Sequence, residues 1–316
     1  MKHPPPIPTL LLAFTLLITS CIKEDMSYCP GDVRVYFSLL SSESRPSDVD
    51  RMHLYVFGAD GLFYGEYRDN HIGSFTSQYY IDCPGLLPGS YRLVAWAGRD
   101  DNHYATTPVS FAQGKTTYED ALLNLKHTGG LVTTPPHHIF HSELPVVVTF
   151  EKEQRFTMPL AQLTNTINVR TEGLPSDDNA YLFNIADNNC AYSFDRSFAS
   201  HAGHLPDEPI TYTIPCTKDD SKQLGATLRV MRLAHNRRTP QLQIYNKTQG
   251  KLLFPMDDQS GDLIEMILNA YTPNFETTHT YDIVLRFTGD DSTDLKVKVL
   301  INGWEVKEQG GELIEN

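Results

Sequence analysis

The chain lacks a basic surface. Its 26 Lys and Arg residues stand against 39 Asp and Glu, giving a formal charge of −13, and no segment collects the cations into a stripe. Nucleic-acid phosphates demand such a stripe, so no nucleic-acid partner is expected. Long hydrophobic runs are missing too. The longest, Thr9–Ser20, falls short of the roughly 20 apolar residues needed to cross a bilayer. Catalytic signatures are absent as well: no Gly-x-Ser-x-Gly, no His-Glu-x-x-His, no phosphate-cradling P-loop and no dinucleotide fingerprint. With no Cys-x-x-Cys, cysteine ligation of a metal is not expected either. The sequence therefore points away from an enzyme and implies no cofactor or metal.

What is present begins at the N-terminus. Thr9–Ser20 follows the single early Lys2 and ends in small residues, the layout of a signal peptide over residues 1–20. The prolines Pro4, Pro5, Pro6 and Pro8 are unusual in that position. Ile18-Thr19-Ser20-Cys21 resembles a bacterial lipobox. The resemblance implies cleavage before Cys21, a diacylglycerol on its thiol and an acylated amino group. Several acyl chains hold a protein lastingly, since each buried CH₂ contributes about 0.8 kcal/mol. Lys23-Glu24-Asp25 is similar to the surface-export signal of Bacteroidota lipoproteins. Residues 21–30 then read as a lipidated tether on the outer membrane, facing outward.

Four cysteines remain: Cys29, Cys83, Cys190 and Cys216. An even count in an exported chain suggests two disulfides, and four cysteines allow three pairings. Cys29–Cys83 with Cys190–Cys216 is the simplest if each half is a domain, but the sequence leaves the choice open.

With 40% apolar and 10% aromatic residues the chain can build real cores. The pattern is one of short strands. Val33–Phe37 opens the body, and Arg51–Phe57 alternates, with Met52, Leu54 and Val56 on one face. Ala59-Asp60-Gly61 signals a hairpin into Leu62–Tyr67. Tyr91–Ala97 is β-rich, with Trp96 opposed to Leu93 and Ala95. Residues near 100–143 read as long loops, and strand returns at Pro145–Glu151. A domain boundary falls near Pro159–Thr164. Beyond it come strand candidates at Ile167–Arg170, Tyr181–Ile185, Ala226–Leu233 and Leu242–Tyr245. Asp262–Ala270 is the one clear helix, with Asp262 suited to its positive N-terminus. Two alternating strands close the chain, one presenting Tyr281, Ile283, Leu285 and Phe287, the other Leu295, Val297, Val299 and Ile301. Many short strands between Gly and Pro turns make an all-β fold of two sandwiches in tandem, residues 31–160 and 161–316, with one short helix in the second.

Three local features invite chemistry. His137, His138 and His141, near Glu143, are the one histidine cluster, but Pro135-Pro136 and Pro145 flank it and favour a loop. Asp219-Asp220 and Asp257-Asp258 read as turns, lacking calcium-loop spacing. Asp291-Ser292-Thr293 is similar to a short glycosylation pattern of exported Bacteroidota proteins, with Ser292 the acceptor.

Taken with Cys21, three stretches resemble the FimB-type minor fimbrial anchor lipoproteins of Bacteroidales. They are "SYCPGDVRVYF" at Ser27–Phe37, "PGLLPGSYRLVAWAG" at Pro84–Gly98 and "LKVKVLINGWEV" at Leu295–Val306. The resemblance implies two transthyretin-like β-sandwich domains at the base of a type V fimbrium. There the protein would hold the fibre to the outer membrane and limit its length. Its partner would be a stalk subunit, engaged by strand addition at an exposed sheet edge, with Glu305–Asn316 a candidate short donor. The alternative is a surface glycan-binding lipoprotein of a polysaccharide-uptake system.

Overall fold

The structure is a computed structural model describing residues 31–306 except 176, 178–179, 200–208, 219–222, 238, 258 and 290–295. Alternating segments of the first half form β1 (Asp32–Leu39), β2 (Met52–Gly58), β3 (Phe63–Asp69), β4 (Tyr80–Asp82) and β5 (Gly89–Ala97). An excursion follows, carrying β6 (Tyr104–Thr107), β7 (Leu122–Leu125) and β8 (Leu131–Val132). The chain returns in β9 (Phe140–Val148) and β10 (Glu153–Gln162).

These strands make one seven-stranded sheet in the order β3-β2-β5-β9-β10-β1-β4. β9 and β10 pair only where Phe140 and His141 meet Gln162 and Ala161, and there the sheet turns a corner. Its two parts enclose a core of Val35, Phe37, Leu54, Val56, Leu93, Ala95, Val146 and Met158. Met52, Leu54 and Val56 share that face as the alternation requires. Their neighbours Tyr55 and Phe57, with Val94 and Trp96, are buried on the opposite face in a second core. β2 and β5 are thus covered on both sides, not half-exposed.

The second half adds β11 (Thr164–Glu172), β12 (Tyr181–Asp187), β13 (Ala191–Ser193), β14 (Ile210–Pro215), β15 (Thr217–Lys218) and β16 (Leu224–Met231). It continues with β17 (Gln241–Asn246), β18 (Lys251–Phe254), α1 (Leu263–Ala270), β19 (Thr280–Thr288), β20 (Lys296–Ile301) and β21 (Trp304–Glu305). A six-stranded sheet, β15-β16-β11-β19-β20-β21, faces a five-stranded one, β18-β17-β12-β14-β8. Ile167, Leu228, Ile283 and Leu285 from the first meet Phe183, Ile185, Leu242 and Ile244 from the second. Helix α1 starts as its sequence predicts: the Asp262 side chain accepts the Glu265 amide at 2.9 Å. Its Leu263, Ile264 and Ile267 complete this core. Asn302 and Gly303, both at positive φ, turn β20 into β21 as a tight hairpin.

Residues 100–143 are not the loops the sequence suggested. β7 pairs with β13, and β8 runs parallel to β14, so the excursion is held by partners in the second half. Two to four residues cannot form a strand alone, and those partners lie far away in sequence. β6 lies in that stretch as well, and β9 begins at Phe140, five residues before the Pro145 start read from the sequence.

Candidate functional site

A β-sandwich can interact through its strand edges and sheet faces. Among the described residues β3 is the longest outermost strand. The other outermost strands, β4, β15, β21, β18, β8, β13 and β6, are only two to four residues long. Residues 114–116 cover the start of β3: Phe63 donates to the Thr116 carbonyl and accepts from Gly114, both at 2.8 Å. Beyond Phe63 the edge carries Glu66 and Arg68. The Glu66 carboxylate, nearly buried, takes His53 Nδ1 at 2.9 Å and Arg68 at 2.5 Å. Burial works to raise its pKa, but the His53 and Arg68 hydrogen bonds outweigh it and hold the carboxyl below its ordinary value. Charge on an edge strand discourages indiscriminate pairing.

The other long candidate, β20, is already covered. β21 pairs with Leu300 and Ile301, Val306 donates to the Val299 carbonyl at 3.0 Å, and Gln259 Nε2 caps the Val297 carbonyl at 2.8 Å. Glu305 and Val306, the start of the expected donor segment, are therefore engaged by the chain's own sheet. Residues 307–316 lie outside the described residues.

The outer face of the six-stranded sheet forms a shallow concavity of about 750 Å³. Its polar groups are tied to one another across strands. Asn168 Nδ2 donates to Asp282 Oδ1 at 2.7 Å, Thr227 Oγ1 to Asn168 Oδ1 at 2.9 Å, and Arg286 Nε to Glu172 at 2.6 Å. Of the two tryptophans, Trp96 is fully buried and Trp304 stands exposed at the β20–β21 turn.

Of the histidine cluster, His137 and His138 lie in the loop that the flanking prolines suggested, whereas His141 is already on β9. His141, on β9, is buried and donates from Nε2 to the Phe194 carbonyl at 2.7 Å. His138 Nδ1 lies 2.9 Å from Thr164 Oγ1 and accepts from Gln162 Nε2 at 3.2 Å. Burial pushes both imidazoles down to about 3, keeping them neutral. His137 goes elsewhere: its Nδ1 is 3.7 Å from Asp100 Oδ2, and its ring stacks on His103 at 5.3 Å. Neither Asp100 nor His103 stood out in the sequence, because the excursion separates them from His137.

The expected Cys190–Cys216 disulfide is not formed; both residues, like Cys83, are buried thiols. Cys216 Sγ donates to the carbonyl of Tyr181, at the start of β12, whereas Cys190 follows the end of that strand at Asp187. At about 3.3 Å per residue the length of β12 keeps them roughly 20 Å apart, beyond the reach of a disulfide. Cys83 donates its amide to the Val33 carbonyl, and burial, with Asp82 nearby, pushes its thiol up to about 12. Its suggested partner Cys29 lies outside the described residues, as do Cys21, Lys23, Glu24, Asp25 and Ser292. So do Leu295, Asp219-Asp220 and Asp258.

Comparison with known proteins completes the picture. No curated protein sequence matches the chain. Among solved structures, a Bacteroides thetaiotaomicron protein described as a polysaccharide-binding candidate superposes with a TM-score of 0.73 at 23% identity, covering 89% of this chain and 99% of its own. The fimbrial anchor protein Mfa2 of Porphyromonas gingivalis gives 0.70 at 21% identity, covering 88% and 99%. A candidate adhesin of Bacteroides ovatus gives 0.72 at 17% identity, covering 87% and 94%. At these identities the likeness establishes a shared fold. The sequence pattern of the fimbrillin-A associated anchor proteins Mfa1 and Mfa2 matches residues 26–310, nearly the whole chain. The chain belongs to this family of fimbrial anchor proteins.

Proposed function

We propose that the protein is a non-enzymatic outer-membrane lipoprotein that anchors the base of a fimbrium to the cell surface and limits its length. The observation carrying this reading is the family match, which runs from residue 26 to 310 and so takes in the whole folded body. What precedes that match is the lipobox-like Ile18–Cys21 and the Lys23-Glu24-Asp25 run, a lipid tether with an outward address. The partner is a fimbrial stalk subunit, met by strand addition. β3 is the edge suited to it, being the longest outermost strand and open beyond Phe63. Main-chain hydrogen bonds would supply affinity there, and the alternate side chains selectivity. The glycan-binding reading has less support, because Asn168, Thr227 and Asp282 of the broad concavity already bond one another.

Deleting the gene and imaging the cell surface tests the role: shed or overlong fimbriae are expected, and unchanged fimbriae would refute anchoring. Cys21→Ala should move the protein out of the membrane fraction; its retention there would contradict lipidation. A photo-crosslinker in place of exposed Arg68 should capture a stalk subunit. If anchoring is disturbed by the deletion yet nothing is captured at that position, the β3 assignment fails while the role stands.

A further inference from the structure

We propose that Asp100, His103 and His137 form a binding site for a zinc-type divalent cation at the neck of the excursion between β5 and β9. The strands themselves bring the ligands together. β5 and β9 pair up to Ala97 opposite Phe140, and continuing that antiparallel register three residues outward sets Asp100 opposite His137. The two backbones run very close here: a Cβ on Gly98 would lie 2.2 Å from the His138 carbonyl oxygen. His103 is then delivered by a turn. Asp100 Oδ1 accepts the backbone amides of Asn102 at 2.8 Å and His103 at 3.0 Å, folding the segment back on itself.

The ligand atoms of the three side chains all lie within 4.8 Å of one another. Asp100 Oδ2 is 2.9 Å from His103 Nδ1 and 3.7 Å from His137 Nδ1. Tetrahedral ligands about 2.0–2.1 Å from zinc are separated by roughly 3.3 Å, between those two distances. Two imidazole nitrogens with one carboxylate favour zinc, copper or nickel over magnesium or calcium, which take oxygen shells. His137 is half-exposed, so a fourth position would open to water.

Supporting contacts hold the ligands in place, as metal sites require. The Tyr104 hydroxyl donates to the His137 carbonyl at 2.6 Å, and Arg229 donates to that of Pro136 at 2.8 Å. Asp100 is buried, and the backbone amides of Asn102 and His103 fix its carboxylate in place. An ion here would close the neck of the segment whose β7 and β8 pair with the second half.

The test is calorimetric titration of the tag-free full chain in detergent, stripped with EDTA, using ZnCl₂ and separately MgCl₂, followed by thermal melting. One zinc ion per chain and a raised Tm are expected, with no comparable effect of magnesium. His137→Ala should keep the metal-free Tm, because its ring is half-exposed, and lose at least tenfold in zinc affinity. His103→Asn should weaken binding similarly, while the remote exposed His71→Ala should bind like wild type. Absence of zinc binding, equal binding of magnesium, unchanged affinity in His137→Ala, or an equal loss in His71→Ala would each overturn the proposal.

Discussion

Trp96 on β5 and His141 on β9 stand directly opposite each other, their rings meeting edge-on at 4.6 Å. His141 also donates to the Phe194 carbonyl, and Trp96 meets the Phe194 ring at 5.8 Å. This pair joins the outer face of the first sheet to a segment of the second half. Tyr55 and Phe57 add their own edge-on contacts to Phe194, at 5.0 and 6.0 Å. The two halves therefore share a desolvated aromatic core.

That core makes the protein acid-labile. Burial holds the His141 and His138 imidazoles neutral, pushed down to about 3, and lowers His279 as well. In the unfolded chain these groups titrate near 6.5, so below that pH the unfolded state binds more protons than the folded one. Stability is complete above about pH 6.5 and falls as the pH drops toward 3, by up to about 1.4 kcal/mol per pH unit for each of His138 and His141. Urea unfolding between pH 7.5 and 4.5 should show this decline. His141→Phe, which cannot titrate, should have a shallower slope; identical slopes would refute the assignment.

Gly98 tolerates no side chain. Its φ is +71°, and a Cβ would collide with the His138 carbonyl oxygen. Gly98→Ala should lower the unfolding free energy by at least about 2 kcal/mol, from the left-handed backbone plus the forced shift of the His138 backbone ahead of β9. Denaturant melts would measure it, and a loss below experimental scatter would show that the neck yields easily.

Asp262 caps α1 through the Glu265 amide. Asp262→Ala should cost about 1 kcal/mol, since the orphaned donor loses its partner. Asp262→Ser should restore most of that. If serine is no better than alanine, the cap is not the source of the effect.

A peptide map made without reductant should contain no Cys190–Cys216 cross-linked peptide, because β12 separates the two thiols. In the native protein Cys83 should resist alkylation, being buried with its thiol pushed up to about 12. A Cys190–Cys216 link in the native protein would require a different arrangement of β12 and β14.

Much of the fold was legible because it rests on local periodicity. Tyr281, Ile283, Leu285 and Phe287 alternate in sequence and lie buried on one face of β19. Asp262 announced a helix start. The excursion was not legible: β7 and β8 are too short to carry a pattern, and they exist through pairing with β13 and β14. Flanking prolines rightly marked His137 and His138 as loop residues but hid the strand that carries His141, which starts at buried Phe140. β10 was missed for a related reason. Its partner β1 lies more than a hundred residues upstream in a parallel ladder, Asp32 opposite Glu153.

The sequence by itself determined that this is an all-β chain with one helix, because side-chain alternation and capping are properties of neighbouring residues. It also carried the motifs by which the anchor family is recognised. Only the tertiary structure decided what depends on residues far apart in the chain. It set Cys190 and Cys216 at opposite ends of one strand, and it set Asp100 and His103 against His137. Both outcomes follow from strand register, and register is chosen by the burial of entire sheets.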